Sequence, residues 1–415
     1  MTEYSVPKML KRFNKIDVGN QKHSSHVVID WLWALFVLTI PSFHYLNVRI
    51  LVGLLIISLF VVSTKKISLF LLQSWDLLLY AAVLLIGFTY SADRSEALRV
   101  LETNFSIIAL PIVYAFLLHK EQDRYLLNLF TVGVLISGLI SLIVSIIKYN
   151  NGLDLQVFFF YEFSEFVGSQ PTYFAYYIIF AMIWITYQAY FENFNYSLWI
   201  YSLIMSFLFG VLTLTSGKTA FIAILISFSF FALKFLQGNK SKHETHVMIS
   251  MIVLLLVFVY VSGSNQIAVL LSNPSDNWDR SVIWKAAVNA NPNPILGVGI
   301  GDYKEVLNKY FLSQGMNEFA KESLNAHNQY IHSFFSNGIL GLAILSLVLI
   351  RPLYLSFKMQ FTLGILLAFP FVIYAMTEVI LGRYQGIVFF VFCHQLVISS
   401  CLSSRIKLEF DSHPK

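Results

Sequence analysis

The chain has 415 residues, of which 57% are hydrophobic and 12% charged, and carries a formal net charge of +5. That much apolar surface exceeds what one soluble core can hide, which sets aside a soluble globular enzyme and places the chain among polytopic membrane proteins. The basic residues fall in short clusters between apolar runs and form no continuous basic face, so they argue against a nucleic-acid partner and fit the bias of Lys and Arg toward the cytoplasmic side of a membrane.

The N-terminal stretch MTEYSVPKMLKRFNKIDVGNQKHSSH is polar and basic. No small-residue cleavage site follows the first apolar run, which predicts a cytoplasmic tail rather than a signal peptide. A helix needs about 20 mostly apolar residues to cross the hydrocarbon, or about 17 at the short end. Against that measure twelve segments are predicted to cross, over approximately 27–44, 47–63, 74–91, 104–118, 125–147, 171–190, 196–215, 218–236, 246–262, 328–350, 360–379 and 385–402. The first two are joined tightly through Pro41, and the fourth is short and carries Pro111. Cys393 and Cys401 share the last segment at no metal or disulfide spacing and read as core filler.

With the N-terminus in the cytoplasm, seventeen of the 28 Lys and Arg fall on the inner side, six in short outer loops and five in one long loop where the bias is weaker. Both termini are therefore expected in the cytoplasm. The expected fold class is an all-α integral membrane protein of about 12 transmembrane helices, a single polytopic membrane domain over 1–415.

The long loop, 263–327, lies between predicted helices 9 and 10 on the outer face. Within it, DNWDRSVIWKAAVNA predicts an amphipathic helix with Asp276 as N-cap and Arg280 and Trp284 one turn apart. In YKEVLNKYF, Tyr303, Val306, Leu307 and Tyr310 recur at helical spacing and predict a second helix. Between them NPNPILGVGIGDY is a turn-rich connector. Its GVGIGDY run lacks the flanking strand and helix of a dinucleotide site, and that reading is rejected. So long a loop between membrane helices points to function.

The loop ends in NAHNQYIHSFFSNGILGL, residues 325–342, which places His327 and Asn328 at the mouth of a membrane helix. A neutral imidazole there can act as a general base, or the pair can simply cap the helix; the residues alone leave both open. His332, five residues on, points away from His327 on a helix and reads as structural. Arg280 offers planar, permanently charged donors suited to phosphate, or a surface ion pair with Asp276 or Asp279. Lys218 in TLTSGKTAF opens the eighth segment, where an ammonium can hold an anionic headgroup or snorkel to water. Glu378 and Arg383 in TEVILGRYQG flank the last outer turn and can pair with each other. Glu162 and Glu165 add carboxylates to an aromatic outer loop. Lys218, Arg280, His327, Glu378 and Arg383 thus all fall on the predicted outer face, while mid-helix positions look almost free of charge. That favours surface chemistry or binding over the permeation path of a transporter.

The ordered set TSGKTA, DRSVIWKAAVNANPNPILGVGIGDY and NAHNQYIHSFFSNGILGL, after about nine membrane segments, resembles the O-antigen ligase and polymerase superfamily of bacterial lipid-linked glycan transferases. The motif match covers roughly 210–345 and the topology match the whole chain. The resemblance implies an inverting, metal-independent glycosyltransferase of the bacterial inner membrane, needing no cofactor and working on the periplasmic face. Its expected partners are an undecaprenyl-diphosphate-linked glycan donor, a lipid A-core or other hydroxyl acceptor, and membrane lipids. O-antigen ligase is the leading expectation, with O-antigen polymerase and protein O-oligosaccharyltransferase as alternatives. His327 matches the family's essential histidine and Arg280 its loop arginine. Lys218 falls near an arginine that in the family follows the Ser directly; Ser-Gly-Lys keeps the charge but not the bidentate geometry. In this scheme Arg280, Lys218 and Arg383 are expected at the diphosphate, His327 at the acceptor hydroxyl, and Asn328, Trp284 and Glu378 in support.

Overall fold

The computed structural model describes residues 23–117, 123–191, 197–215, 218–237, 242–263, 280–321 and 325–412. Among the described residues every regular element is helical. The first half comprises α1 (His23–Thr39), α2 (His44–Leu59), α3 (Thr64–Tyr90), α4 (Arg94–Thr103), α5 (Ser106–Leu117), α6 (Asp123–Asn150), the short α7 (Phe160–Ser164) and α8 (Pro171–Phe191). Then follow α9 (Leu198–Thr215), α10 (Lys218–Gln237), α11 (Lys242–Gly263), α12 (Arg280–Asn289), α13 (Tyr303–Ser313), α14 (Asn317–Lys321), α15 (Gln329–Lys358), α16 (Thr362–Thr377) and α17 (Tyr384–Ser412).

Among the described residues seven stretches are long and apolar enough to cross a membrane: α3, the Arg94–Leu117 run of α4 and α5, α6, α8, α9, α15, and Tyr384–Ser403 of α17. The other five predicted segments coincide with shorter apolar helices, Val28–Thr39, His44–Leu59, Ile222–Gln237, Glu244–Leu254 and Thr362–Thr377. The fourth segment begins earlier than expected because α4 precedes it. Asp93 caps α4, its carboxylate accepting from the Glu96 N–H at 2.9 Å.

Where a helix sits follows from how its apolar residues are distributed. The sequence of α8 is apolar on every side, and the helix is buried on every side, with Tyr176, Phe180, Phe371 and Phe389 meeting at centroid separations of 4.8–5.7 Å. By contrast α3 leaves Leu71, Leu72, Leu79, Leu85 and Ile86 exposed, an apolar stripe suited to lipid.

The segment between α11 and α15 builds a small core of its own. Ile283 and Ala287 of α12 pack with Leu307 and Phe311 of α13 and with Phe335 of α15. Tyr303 and Leu307 are buried as their spacing predicts, while Val306 and Tyr310 pack at the edge of this core. The N-terminal part of the long loop, with Asp276 and Asp279, lies outside the described residues.

The glycines of GVGIGDY admit backbone against backbone. Helix α15 breaks at Gly338, whose φ of 63° and ψ of −160° are not helical, so the segment predicted over 328–350 is not one uninterrupted helix. The break leaves carbonyls at Phe335 and Ser336 that accept from the N–H groups of Val298 and Gly299, each at 2.9 Å, and Ile339 N–H donates to Pro294 at 2.8 Å. A Cβ on Gly297 would lie 2.5 Å from the Asn337 nitrogen. The Asp302 carboxylate then accepts from Ala92 and Asp93 N–H groups at 2.7 Å each, fixing the corner between α3 and α4.

One expectation is overturned within the helices. Asp76 of α3, Arg351 of α15 and His394 of α17 form a buried network, with Arg351 donating to Asp76 and His394 Nε2 lying 2.8 Å from the second Asp76 oxygen. Arg351 also donates to the Gln73 carbonyl at 3.0 Å and the Leu72 carbonyl at 2.8 Å. The predicted spans put Asp76 near the end of one segment and Arg351 just beyond another; α3 and α15 run further, and so hold both charges inside the bundle.

Candidate active site

Helix α15 begins with Asn328 as N-cap, its side-chain oxygen accepting from the Ile331 N–H at 3.1 Å. His327 directly precedes the cap with φ of 42°, in the left-handed region that non-glycine residues rarely adopt. Asn325 holds that turn by accepting the His327 N–H at 2.8 Å. The capping reading and the chemical reading therefore divide between neighbours: Asn328 caps, and His327 is turned off the helix with its side chain about one-third exposed.

Two further elements converge on this turn. The Trp284 indole of α12 donates to the Ala326 carbonyl at 2.8 Å. Arg280, one turn earlier on α12, donates to the Thr377 carbonyl at 3.1 Å. Thr377 ends α16, and the next residue, Glu378, turns its carboxylate back so that Oε2 lies 3.6 Å from His327 Nδ1 while Oε1 accepts the Val379 N–H at 2.9 Å. The strand of loop after Glu378 is tied down by Tyr173 donating to the Val379 carbonyl at 3.0 Å and by Gln329 accepting the Leu381 N–H at 2.8 Å.

Glu378 is only 8% exposed. Burial pushes its carboxyl pKa up, but His327, the Val379 N–H and the Arg280 charge outweigh burial and hold it below the ordinary carboxylate value. An ionised Glu378 opposite Nδ1 favours the imidazole tautomer with the proton on that nitrogen. Nε2 then carries the lone pair, the arrangement a general base needs.

Beside this cluster lies a cavity of about 440 Å³. Its wall is drawn from the ends of α3, α8 and α15, from α4, and from residues 300–304 and 378–383. Asn325 and Glu378 belong to both cavity and cluster, whereas His327 and Arg280 stand outside the lining. Glu96 sits between two cations in the wall, 3.0 Å from Lys304 and 3.3 Å from Arg99. Tyr303 faces the same space, and burial, with Glu96 nearby, pushes its phenol pKa up to about 12.

The structure thus brings together Arg280, Trp284, His327, Asn328 and Glu378, drawn from nearly 100 residues of sequence. Arg383 lies on the cavity wall, exposed, at the far end of the Glu378 loop. The expected Glu378–Arg383 pair does not form: Glu378 is taken by His327, and among the described residues Arg383 has no ion-pair partner. Lys218 opens α10 as expected, but its side chain is outside the described residues. His332 does point away from His327, yet what lies on that side is the cavity, where its ring meets Tyr303 edge-on at 4.5 Å. Glu162 and Glu165 are engaged elsewhere, with Lys148 at 3.5 and 2.9 Å. Among the described residues no three His, Cys, Asp or Glu side chains gather as a metal site.

Sequence reading missed Glu96, Arg99, Asn104 and Lys304. Each looks like an ordinary polar residue near a helix end, and only the contact between the α3–α4 corner and Asp302 brings residues about 200 positions apart to one wall.

Residues 201–346 match the family described as O-Antigen ligase. The matched stretch includes Arg280, Trp284, His327 and Asn328; Glu378 and Arg383 lie beyond it. No curated protein matches the chain.

Proposed function

We propose that this multi-pass member of the O-antigen ligase superfamily is an inverting glycosyltransferase that moves a glycan from an undecaprenyl-diphosphate carrier to an acceptor hydroxyl, with lipid A-core the leading acceptor. The observation that carries the reading is the meeting of Arg280, His327 and Glu378, one cation, one base and one buried carboxylate, at the end of a membrane-embedded bundle. The distribution of Lys and Arg supports assigning that end to the periplasmic face of a bacterial inner membrane.

In the proposed reaction the acceptor oxygen attacks the anomeric carbon as the bond from that carbon to the diphosphate oxygen breaks, a single displacement that inverts configuration. The hydroxyl proton passes to His327 Nε2, and Glu378 stabilises the imidazolium that results. The departing diphosphate gathers negative charge, for which Arg280 and Arg383 supply fixed cations with low reorganisation cost. Lys218 is the third cation proposed for it.

O-antigen polymerase and protein O-oligosaccharyltransferase share this chemistry and differ in acceptor. A flippase, the reading of another class, needs a polar route through the bundle. Asp76, Arg351 and His394 are paired with one another, and the cavity beside His394 is about 10 Å³, room for roughly one water. That supports a closed structural network over a path.

The test is to delete the gene in its own host and resolve surface lipopolysaccharide, then restore it with wild type, His327→Ala or Arg280→Ala. A ligase is expected to lose long chains while lipid-linked polymer accumulates. A single-repeat ladder would indicate a polymerase instead, and unchanged lipopolysaccharide with altered glycoproteins would indicate protein transfer. Full activity of both variants at normal membrane levels would defeat the catalytic assignment.

A further inference from the structure

The cavity beside Glu378 has a chemistry distinct from that of the Arg280 cluster. Its three lining cations do not form a phosphate cradle: Arg99 and Lys304 are both committed to Glu96, and the third, Arg383, stands exposed. Glu378 is held ionised in the same wall. A diphosphate placed deep inside would face both carboxylates, whereas at the Arg383 side it meets a free guanidinium.

The interior instead calls for a neutral, hydrogen-bonding occupant. Among the described residues, four polar atoms of the lining residues are buried without a partner: Ser336 Oγ, Asn104 Oδ1, Gln170 Oε1 and His332 Nδ1. Leaving such a group unsatisfied costs free energy, so small side-chain adjustments toward a hydroxyl-bearing ligand would be rewarded at several points. The Glu96 carboxylate adds a planar group able to bridge neighbouring hydroxyls, and Tyr303 adds an aromatic wall. The volume, about 440 Å³, falls within the usual range for small-molecule sites, about 300–1,000 Å³.

We propose that this cavity is a sugar-binding subsite for one pyranose of the glycan substrate, with Glu96, Asn104, Lys304 and Ser336 as its specificity residues. The assignment rests on the glycosyltransferase reading above. Two sources of that sugar are distinguished by the test: the donor ring next to the diphosphate, which would sit at Arg383, or the acceptor ring whose hydroxyl His327 deprotonates.

The experiment is saturation-transfer NMR on the full chain in nanodiscs, with two probes: a free methyl glycoside disaccharide, and a short-chain prenyl diphosphate carrying one N-acetylhexosamine. Ring protons of at least one probe should receive saturation. Transfer to the free disaccharide assigns the subsite to the acceptor, and transfer only to the prenyl-linked sugar assigns it to the donor; both support the proposal. Glu96→Gln and Thr103→Trp, the latter filling the cavity from the partly exposed end of α4, should weaken sugar binding by about tenfold or more, equivalent to about 1.4 kcal/mol. Ser336→Ala, which removes an unpaired hydroxyl and leaves the backbone bonds intact, should weaken it with no change in thermal unfolding. If neither probe receives saturation, or if none of the three cavity variants alters it, the subsite is refuted. If binding behaves as expected while His327→Ala transfers glycan normally, the subsite stands and the catalytic reading fails.

Discussion

The Trp284 indole N–H donates to the Ala326 carbonyl at 2.8 Å, so a side chain of α12 sets the position of the residue that precedes His327. His327 is the member of the site with a left-handed backbone, φ 42°, a conformation that neighbouring contacts must hold in place. Trp284→Phe keeps the ring and removes the donor. One hydrogen bond contributes about 0.5–1.5 kcal/mol, so turnover should fall up to about tenfold with little change in expression or in apparent donor affinity. Unchanged turnover would show that the Asn325 contact alone suffices to hold the turn.

Glu378→Gln keeps size and buries no new charge, but it removes the carboxylate that favours the Nδ1–H tautomer. General-base contributions are about 10²–10⁴-fold, and a loss toward the lower end is expected because His327 itself remains. His327→Ala should cost more. Equal activity of Glu378→Gln and wild type in a transfer assay would remove Glu378 from the mechanism.

Protons provide a separate check on the same carboxylate. Its pKa is held below the unfolded value of about 4.3. A depressed carboxyl stabilises the fold fully above the unfolded value, and that contribution disappears as pH falls through the folded one. The melting temperature of wild type should therefore drop below about pH 4, and part of that drop should be missing in Glu378→Gln. Parallel curves for the two proteins would show that Glu378 does not supply the linkage.

Much of this site is legible in the sequence because its parts lie in two compact motifs and one turn. Arg280 and Trp284 are one helical turn apart, His327 and Asn328 are adjacent, and Glu378 opens the short turn after α16; the fold then brings all of them to the same end of the bundle. The cavity is less legible. Its Glu96–Lys304 pair, at 3.0 Å, joins positions 208 apart, and neither residue has a distinctive neighbour pattern. Nor does composition announce the break at Gly338, because the glycine that permits it lies in a run that scores as continuous helix.

The connector glycines carry a stability prediction with an internal control. In Gly297→Ala the new Cβ would meet backbone at 2.5 Å, and φ is 78°. Backbone atoms of Ser336, Asn337 and Gly338 cannot swing aside as a side-chain tip could, so this variant should lose several degrees of melting temperature and disturb the His327 turn. Gly53 of α2 has open space at the same position and no unusual φ. Gly53→Ala should leave the melting temperature unchanged or raise it, since Ala exceeds Gly in helix propensity by about 1 kcal/mol.

The Asp76 network separates stability from catalysis. Asp76→Ala leaves the Arg351 guanidinium in a site where its side chain is 8% exposed, with only the carbonyls of Leu72 and Gln73 as acceptors. Breaking a buried pair on one side costs about 3–5 kcal/mol, whereas replacing both partners by apolar residues of similar volume is often neutral. Asp76→Leu with Arg351→Met should therefore recover part of the stability that Asp76→Ala loses, the remainder staying with His394, whose Nε2 has lost Asp76, as read by thermal unfolding in detergent. Arg351 lies 13 residues beyond the break at Gly338 on α15, about 20 Å along the axis at about 1.5 Å per residue, so the double variant should retain near-normal transfer. If it is stable yet inactive, the network takes part in the reaction cycle rather than only joining α3, α15 and α17, and the case for a closed bundle core would fail with it.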